Sequence, residues 1–501
     1  MDIIIQSLVA VYNPMTFLLV CVGMLFGMIC GALPGLSTSM AIILLLPFTY
    51  SMDPIMAIIL MVSCYVGGSC GGSISSILLK TPGTPEAVAT TFDGYPMAQK
   101  GKAGEALGLA VTASSFGTIF SAFVMLLASP MLAQAALSFQ SAEYFGLGLI
   151  GLSCITSLGA KNQTKAVVSV MIGLMIGTIG IDSINGVERF AFEQPSLLNG
   201  INYISVMIGA FAVAEVYKNI EEYRHVDTSL RSEHKVKIKL LKFSEMAKMW
   251  SSFIRGSVIG TIIGIIPAAG GSIASLIAYG SEAQNENANP KFGEGNPRGI
   301  IAPECSHNAA VGGSMVPTLT LGIPGSPVAA VIMAAFLIIG LTPGPMLLRE
   351  QPIMLNAIFL ALITAALLLF VGGRFVTSQF GHILKLPYPL LGSLIITLGL
   401  VGAYSLKNSF YDVLIMFVFG LVGYFFDKFK YSNAAVILGL ILGEIIENSL
   451  RKQIIIGDGS GMGFVTRPVS VLVLTVAVLT FLWPMMSKKI KKNKLARQVS
   501  Q

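Results

Sequence analysis

The sequence predicts an all-α polytopic membrane protein with about 12–14 transmembrane or half-helical segments. The segments are expected in two pseudo-symmetric, inverted repeats with broken or re-entrant helices. Three observations predict this: an apolar composition, a series of apolar runs near bilayer length, and glycine–proline landmarks that recur in the same order in both halves of the chain.

The composition comes first. Of 501 residues, 54% are hydrophobic and 11% are charged. Soluble domains carry about 25% charged residues, so a set of soluble cores does not account for this chain. The runs come second. They include Met15–Cys30, Leu107–Pro130, Ile254–Ile266, Val328–Leu341, Ala357–Gly372, Leu390–Gly402 and Val469–Pro484. A spanning helix needs roughly 20 apolar residues, and the shorter runs are expected as half-helices. None shows the apolar–polar alternation of a membrane barrel strand. Because no basic segment precedes it, Met15–Cys30 is expected to be a retained first helix rather than a cleaved signal.

The net charge of +7 is concentrated. No Lys or Arg precedes Lys80, whereas Lys218–Lys248 and the tail from Ser487 are base-rich. Basic loops stay cytoplasmic. The chain therefore divides into a first membrane repeat (1–217), a basic cytoplasmic linker (218–250), a second membrane repeat (251–486) and a basic cytoplasmic tail (487–501). A tail directly after an apolar segment is explained by topology, and nucleic acid is not expected as a partner. The six cysteines (Cys21, Cys30, Cys64, Cys70, Cys154 and Cys305) lie in or beside apolar runs without metal-ligand spacing and read as small apolar residues.

The repeat is the third observation. Gly31-Ala-Leu-Pro34 through Ser39 and Ala41 matches Gly264-Ile-Ile-Pro267 through Ser272 and Ala274. Cys64 to Gly71-Gly72-Ser73 corresponds to Cys305 to Gly312-Gly313-Ser314, and Pro82-Gly83-Thr84-Pro85 to Pro324-Gly325-Ser326-Pro327. Interrupted helices at matching positions of two halves point to a transporter site. The expected interruptions are Pro34-Gly35, Pro267, Gly71–Lys80 with Pro82-Gly83, and Gly312–Gly325. The polar stretch Gly280–Gly299 has no first-half counterpart and reads as a surface loop.

The breaks suggest two chemistries. Thr84-Pro85 and Ser326-Pro327 pair an N-cap with proline at the first helical position, so each should start a helix. Unpaired amides at two such N-termini suit a ligand carrying carboxylates. Pro82-Gly83 and Pro324-Gly325 allow close backbone approach. Lys80 either adds a full positive charge or snorkels at the interface. The substrate-binding set is thus Lys80, Pro82, Gly83, Thr84, Pro324, Gly325 and Ser326. Small hydroxyls and free carbonyls near Gly35, Ser37, Thr38, Ser39, Gly271 and Ser272 suit a hard cation such as sodium, the rival reading being small-residue packing. Glu304 and Asn308 join this cation-binding set, since an acid at membrane depth is a functional candidate. Glu304 could instead carry a proton or pair with Arg298. His307 reads as a helix-end polar residue, Asp93 as a solvated loop residue, and Glu444 and Glu447 with Arg451 and Lys452 as a helix-end ion pair.

At GALPGLSTSMAIILLLPFTY (Gly31–Tyr50), GGSISSILLKTPGTPEAVATTFDGYPMAQKGKAGEAL (Gly71–Leu107), GIIPAAGGSIAS (Gly264–Ser275) and PECSHNAAVGGSMVPTLTLGIPGSP (Pro303–Pro327) the chain resembles the large membrane subunit of the tripartite tricarboxylate transporter family. After Arg349 only hydropathy fits. The resemblance implies a permease of the bacterial inner membrane, without cofactors, coupled to a sodium or proton gradient. It implies a small membrane subunit, a periplasmic solute-binding protein and the lipid bilayer as partners, and citrate-like tricarboxylates or related organic acids as substrates. His307-Asn308-Ala309 stands where the family often has Asn-Asn-Ala. Two rival classes are a channel, since glycine-rich breaks also build filters, and an intramembrane enzyme using Ser306 or His307. No Walker loop or HExxH pattern is present.

Overall fold

The computed structural model describes residues 2–482 apart from 34, 159–162, 224–237, 268, 285–287 and 384–387. The basic tail, the middle of the linker and Pro34 therefore lie outside the described residues. In chain order the first helices are α1 (Asp2–Tyr12), α2 (Pro14–Ala32), α3 (Thr38–Thr49), α4 (Pro54–Leu79), α5 (Thr90–Met97) and α6 (Ala103–Ala136). Next come α7 (Ser141–Leu158), α8 (Gln163–Gly177), a hairpin of β1 (Gly180–Ile181) and β2 (Glu188–Arg189), and α9 (Pro195–Leu198). Helices α10 (Tyr203–Met207) and α11 (Ala214–Tyr223) are joined by a π-helical stretch. The second half contains α12 (Phe243–Lys248), α13 (Trp250–Ile265), α14 (Gly270–Ala283), α15 (Arg298–Leu321), α16 (Pro327–Ile338) and α17 (Pro345–Glu350). It continues with α18 (Pro352–Ile383), α19 (Tyr388–Lys407), α20 (Phe410–Lys428), α21 (Asn433–Ile456), α22 (Gly463–Thr466) and α23 (Pro468–Leu482). Among the described residues, seven helices are long and apolar enough to cross a membrane, and six shorter apolar helices accompany them. The protein is an all-α polytopic membrane protein.

Two compact units form. One contains residues up to Ala136 and Ile204–Tyr424, the other Leu137–Tyr203 and the described residues from Phe425 onward. They cut across the division of the sequence into 1–217 and 251–486.

The first unit is organised by two parallel helix pairs. Gly23, Gly27 and Gly31 of α2 meet the backbone of Leu60, Cys64 and Gly68 on α4. Gly256, Gly260 and Gly264 of α13 meet Ala302, Ser306 and Ala310 on α15. Both stripes recur every fourth residue and rise in step with the partner, so each pair runs parallel. A β-carbon on Gly27 would sit 2.1 Å from the Cys64 carbonyl oxygen, and one on Gly260 2.0 Å from that of Ser306. Since α2 and α4 are parallel, the short α3 must carry the chain back between them, and α14 does the same between α13 and α15. Tyr65 and Ser73 of α4 meet Ser314 and Glu304 of α15 in reversed order, so the two pairs are antiparallel to one another. The repeats are inverted, and the α2–α3 and α13–α14 hairpins enter from opposite ends.

The structure corrects two of the expected interruptions. Helix α4 runs unbroken through Gly71-Gly72 to Leu79, and α15 through Gly312-Gly313 to Leu321. These glycines serve close packing instead: Gly71 lies against the Met28 carbonyl, Gly72 against Thr84, Gly312 against Ser121 and Gly313 against Thr261. The chain breaks only afterwards, at Lys80 and Gly322, both left-handed C-caps. The other expected breaks are present: α2 and α3 are separated around Gly35 (φ +90°), and α13 and α14 around Pro267.

In the second unit α21 packs antiparallel to α8, Gly173 meeting the Val436 carbonyl and Gly439 that of Val170. Arg451 binds Asp182 at 2.7 Å and Glu447 at 3.1 Å, and Arg189 of β2 binds Glu447 at 2.7 Å and also pairs with Asp182. The expected helix-end pair thus extends into a four-residue network that ties the β-hairpin to α21. Burial by itself raises the Asp182 pKa. The Ile184 amide, Arg451, the Asn185 amide and Arg189 outweigh it and hold the carboxyl well below the usual carboxylate range.

Two outcomes follow from this packing. Gly260→Ala should lower the apparent melting temperature of the detergent-purified protein, since overpacking costs about 1–3 kcal/mol. Gly372→Ala, where a β-carbon meets nothing within 4 Å, should not. Asp182→Asn should raise hydrogen exchange at the Gly180–Arg189 amides at neutral pH. Because the native pKa is lowered, the wild-type advantage is present above the unfolded value and fades as pH falls below about 4.

Candidate functional site

The two Pro-Gly-hydroxyl-Pro turns fold back onto the helices that precede them. Gly83 donates its amide to the Gly72 carbonyl at 3.2 Å, and a β-carbon on Gly83 would lie 2.1 Å from the Gly31 carbonyl. Gly325 packs on the Ser314 backbone and donates to Thr318 Oγ1 at 3.3 Å. Neither position has room for a side chain. Ser326 caps α16 as expected, accepting from the Ala329 amide at 3.1 Å. Its hydroxyl also lies 3.0 Å from Tyr65 Oη. Thr84 behaves differently: it precedes a single 3-10 turn, Pro85–Val88, and its hydroxyl makes no cap bond. That Oγ1 is buried without a hydrogen-bond partner among the described residues. Pro82 and Pro324 complete the turns. Lys80 is exposed, its ammonium 5.5 Å from the Tyr95 ring centroid.

Glu304 lies at the junction of the two repeats with 0% exposure. Ser73 of α4 donates to Oε1 at 2.5 Å, and Thr90 of α5 donates to the same oxygen. Ser114 of α6 donates to Oε2 at 2.9 Å, and His307 Nε2 lies 2.9 Å from it. Asn308 Nδ2 donates to Ser114 Oγ at 2.9 Å and to the Glu304 carbonyl at 3.0 Å. One carboxylate therefore joins α4, α5, α6 and α15. Its partners are hydroxyls and an imidazole, not Arg298. His307 is a correction to the sequence reading: it sits inside α15 with 1% exposure, not at a helix end. With the Nε2 proton directed at Glu304, Nδ1 remains as a buried acceptor without a partner among the described residues, as does Asn308 Oδ1.

The remaining cation-set residues separate. Ser37 caps α3 through the Met40 amide at 3.2 Å. Thr38 packs against Gly68, and its buried Oγ1 has no partner among the described residues. Ser39 is buried on α3, and Gly35 faces Asn219. Gly271 on α14 lies against Glu86 and His307, next to the half-buried Ser272. Gly271 and His307 thus connect the second-half break to the Glu304 network. The first-half break has its own neighbours, Gly68 on α4 and Asn219 on α11. Among the described residues no group of three or more His, Cys, Asp or Glu side chains is placed to hold a metal ion.

Asp93 is a second correction. It is fully buried on α5 and accepts from Tyr279 Oη at 3.0 Å and from the Gly293, Gly295 and Asn296 amides at 2.9, 2.8 and 2.7 Å. The glycine-rich 288–297 stretch is therefore anchored on a first-half carboxylate. A polar loop after α14 was legible from composition. Its anchor was not, because the two partners are 200 residues apart.

Replacing Glu304 by Gln should leave at least one buried donor unpaired, at about 1–3 kcal/mol each. A lower melting temperature and a loss of transport of more than about tenfold are expected, the latter corresponding to at least 1.4 kcal/mol. Ser306→Ala, which removes a hydroxyl without a described partner, should leave both unchanged. Asp93→Ala should destabilise by about 3 kcal/mol or more, since three amides and a phenol lose their acceptor.

Comparison with known proteins places this geometry. The Tripartite tricarboxylate transporter TctA family matches residues 17–438. An Agrobacterium vitis protein described as an uncharacterized 52.8 kDa protein in the TAR-I ttuC' 3'region is 34% identical over 466 residues, covering 93% of this chain and 92% of that protein. A second A. vitis protein, described as an uncharacterized protein in the TAR-II ttuC' 3'region, is 35% identical over 234 residues, covering 46% of this chain and 96% of its own length. No solved structure matches the chain. The family is one of transporters and not of enzymes. With inverted repeats, paired hairpins and a match over most of its length, the chain belongs to the tripartite tricarboxylate transporter TctA family.

Proposed function

We propose that this chain is the permease of a binding-protein-dependent secondary transporter in the bacterial inner membrane. It imports citrate-like tricarboxylates or related organic acids on a sodium or proton gradient. The observation that carries the proposal is the pair of Pro-Gly-hydroxyl-Pro turns seated on antiparallel helices, one from each repeat. Backbone that leaves a helix at membrane depth is tolerated where it lines a cavity. The first-turn amides of α16 beyond Ser326 offer partial positive charge to a carboxylate. The unpartnered hydroxyl of Thr84 offers a donor from the opposite repeat. Lys80, exposed beside Tyr95, adds attraction for anions at the rim.

A multiply charged acid needs neutralising to cross hydrocarbon. Sodium is oxygen-ligated, and the buried oxygens without partners, Thr38 Oγ1 and Asn308 Oδ1, have the right chemistry. The Glu304–His307 pair supplies the route for a proton instead. A periplasmic solute-binding protein delivers the acid, a small membrane subunit completes the complex, and the repeats expose the site to each side in turn.

The test is uptake of labelled citrate into vesicles containing this chain, its small subunit and its binding protein, with and without a sodium gradient. Saturable, sodium-dependent uptake is expected, and the double variant Thr84→Leu/Ser326→Leu should abolish it. Full uptake by that variant overturns the site. Competition by another organic acid without citrate uptake moves the substrate. Non-saturable flux independent of any gradient returns a channel.

A further inference from the structure

A cavity of about 420 Å³ lies where the end of the linker meets α6, α12 and the start of α15, away from the turns described above. Its walls are apolar at Leu109, Leu240 and Met249, and its charged groups are Lys239, Lys248, Arg298, Glu105 and Glu245. The three bases outnumber the two carboxylates. Glu105 pairs with Lys239 at 3.2 Å, and Glu245 accepts from the Lys242 amide at 2.9 Å. Lys248 and the half-buried Arg298 pair with no carboxylate among the described residues. The cavity is preformed. Lys239 donates its amide to the Gly104 carbonyl at 3.1 Å, and its own carbonyl fills the space a β-carbon on Gly108 would need.

Its position sets what can reach it. The base-rich linker places this end on the cytoplasmic side. Helix α13 leaves the cavity at Trp250, an interfacial residue type. Trp250, Val258 and Ile262 are 50%, 38% and 56% exposed, and with Ile254 they form one stripe at every fourth residue. Two unpaired cations above an apolar pocket, continuous with a lipid-facing stripe, match one amphiphile.

We infer that this cavity is a binding site for an anionic phospholipid of the cytoplasmic leaflet. The phosphodiester rests between Lys248 and Arg298, the glycerol region on Leu109, Leu240 and Met249, and an acyl chain along α13. Basic pockets beside transmembrane helices on this side of a membrane recognise lipid headgroups in this way. The lipid bridges the linker, the first repeat through α6 and the second through α15, and so fastens the linker to both. A soluble phosphate shares the headgroup's charge but has no use for the apolar wall or the stripe.

The test is native mass spectrometry of the intact chain in mild detergent, titrated with phosphatidylglycerol or with phosphatidylcholine of matched chains. Phosphatidylglycerol adducts are expected to exceed those of phosphatidylcholine and to resist excess inorganic phosphate. At about one kcal/mol per surface base, Lys248→Gln/Arg298→Gln should weaken them about thirtyfold. Lys248→Gln alone, an exposed position on a short helix, should weaken them about fivefold on the same scale and carries the test if the double variant does not fold. Lys452→Gln, an exposed base on α21, should match wild type. Equal retention of both lipids, or adducts undiminished in the variants, overturns the inference. Displacement by inorganic phosphate overturns the lipid reading and leaves a soluble-anion site.

Discussion

In hydrocarbon two apolar helices gain nothing by leaving lipid for one another, so their association rests on close packing and on polar contacts. The architecture of the first unit depends on that constraint. Glycine at every fourth position of α2 and of α13 lets each helix lie directly on the backbone of α4 or α15. The contact is parallel, which obliges the intervening segment to turn back within the membrane. The re-entrant hairpins are therefore consequences of the glycine stripes, and so are the breaks at Gly35 and Pro267. Once these pairs are set, the Pro-Gly turns after α4 and α15 have one place to go. They fold back against Gly72 and Ser314, where the absence of a side chain at Gly83 and Gly325 makes room.

The polar contacts then decide how the two pairs meet. Helix α15 has a charged residue, an imidazole and an amide within five residues, yet it is buried along nearly its whole length. Such a helix is tolerable only where its polar groups are satisfied by protein. Ser73, Thr90 and Ser114 supply that satisfaction from three first-half helices. Asp93 repeats the arrangement closer to the helix ends, binding the second-half loop through its amides. Two buried carboxylates, one donated by each half to the other, thus hold the inverted repeats in register. The same Glu304 lies beside Asn308 and His307, whose unpartnered acceptors are among the buried polar atoms left over from this accounting. Stability and the proposed coupling site share residues, so variants here need a folding readout alongside transport.

How much of this was legible in the sequence varies by element. The membrane class, the inverted repeat and the landmark motifs were legible, because hydropathy and motif order are properties of the chain itself. The glycine stripes carried a readable period at 23, 27, 31 and at 256, 260, 264, but a four-residue glycine spacing does not say which helix it meets. Read without their partners, Gly71-Gly72 and Gly312-Gly313 suggest helix breaks, since glycine weakens an isolated helix. In the folded chain Met28, Thr84, Ser121 and Thr261 fill the space those glycines leave, and the helices continue. The burial of His307 and Asp93 is hidden for a related reason: their neighbours in sequence are polar, and burial comes from segments far away in the chain.

The sequence by itself determined what solvent this protein lives in, that its halves are related, and which turns place a hydroxyl residue before a proline. These follow from composition and local stereochemistry, which need no partner. The tertiary structure alone decided that Ser326 caps a full helix while Thr84 starts only a short turn. It also decided that Glu304 meets hydroxyls rather than Arg298, and that Lys80 stands over Tyr95. Each of those outcomes depends on which distant backbone approaches within hydrogen-bonding distance, and that is set by helix packing, not by the residues on either side.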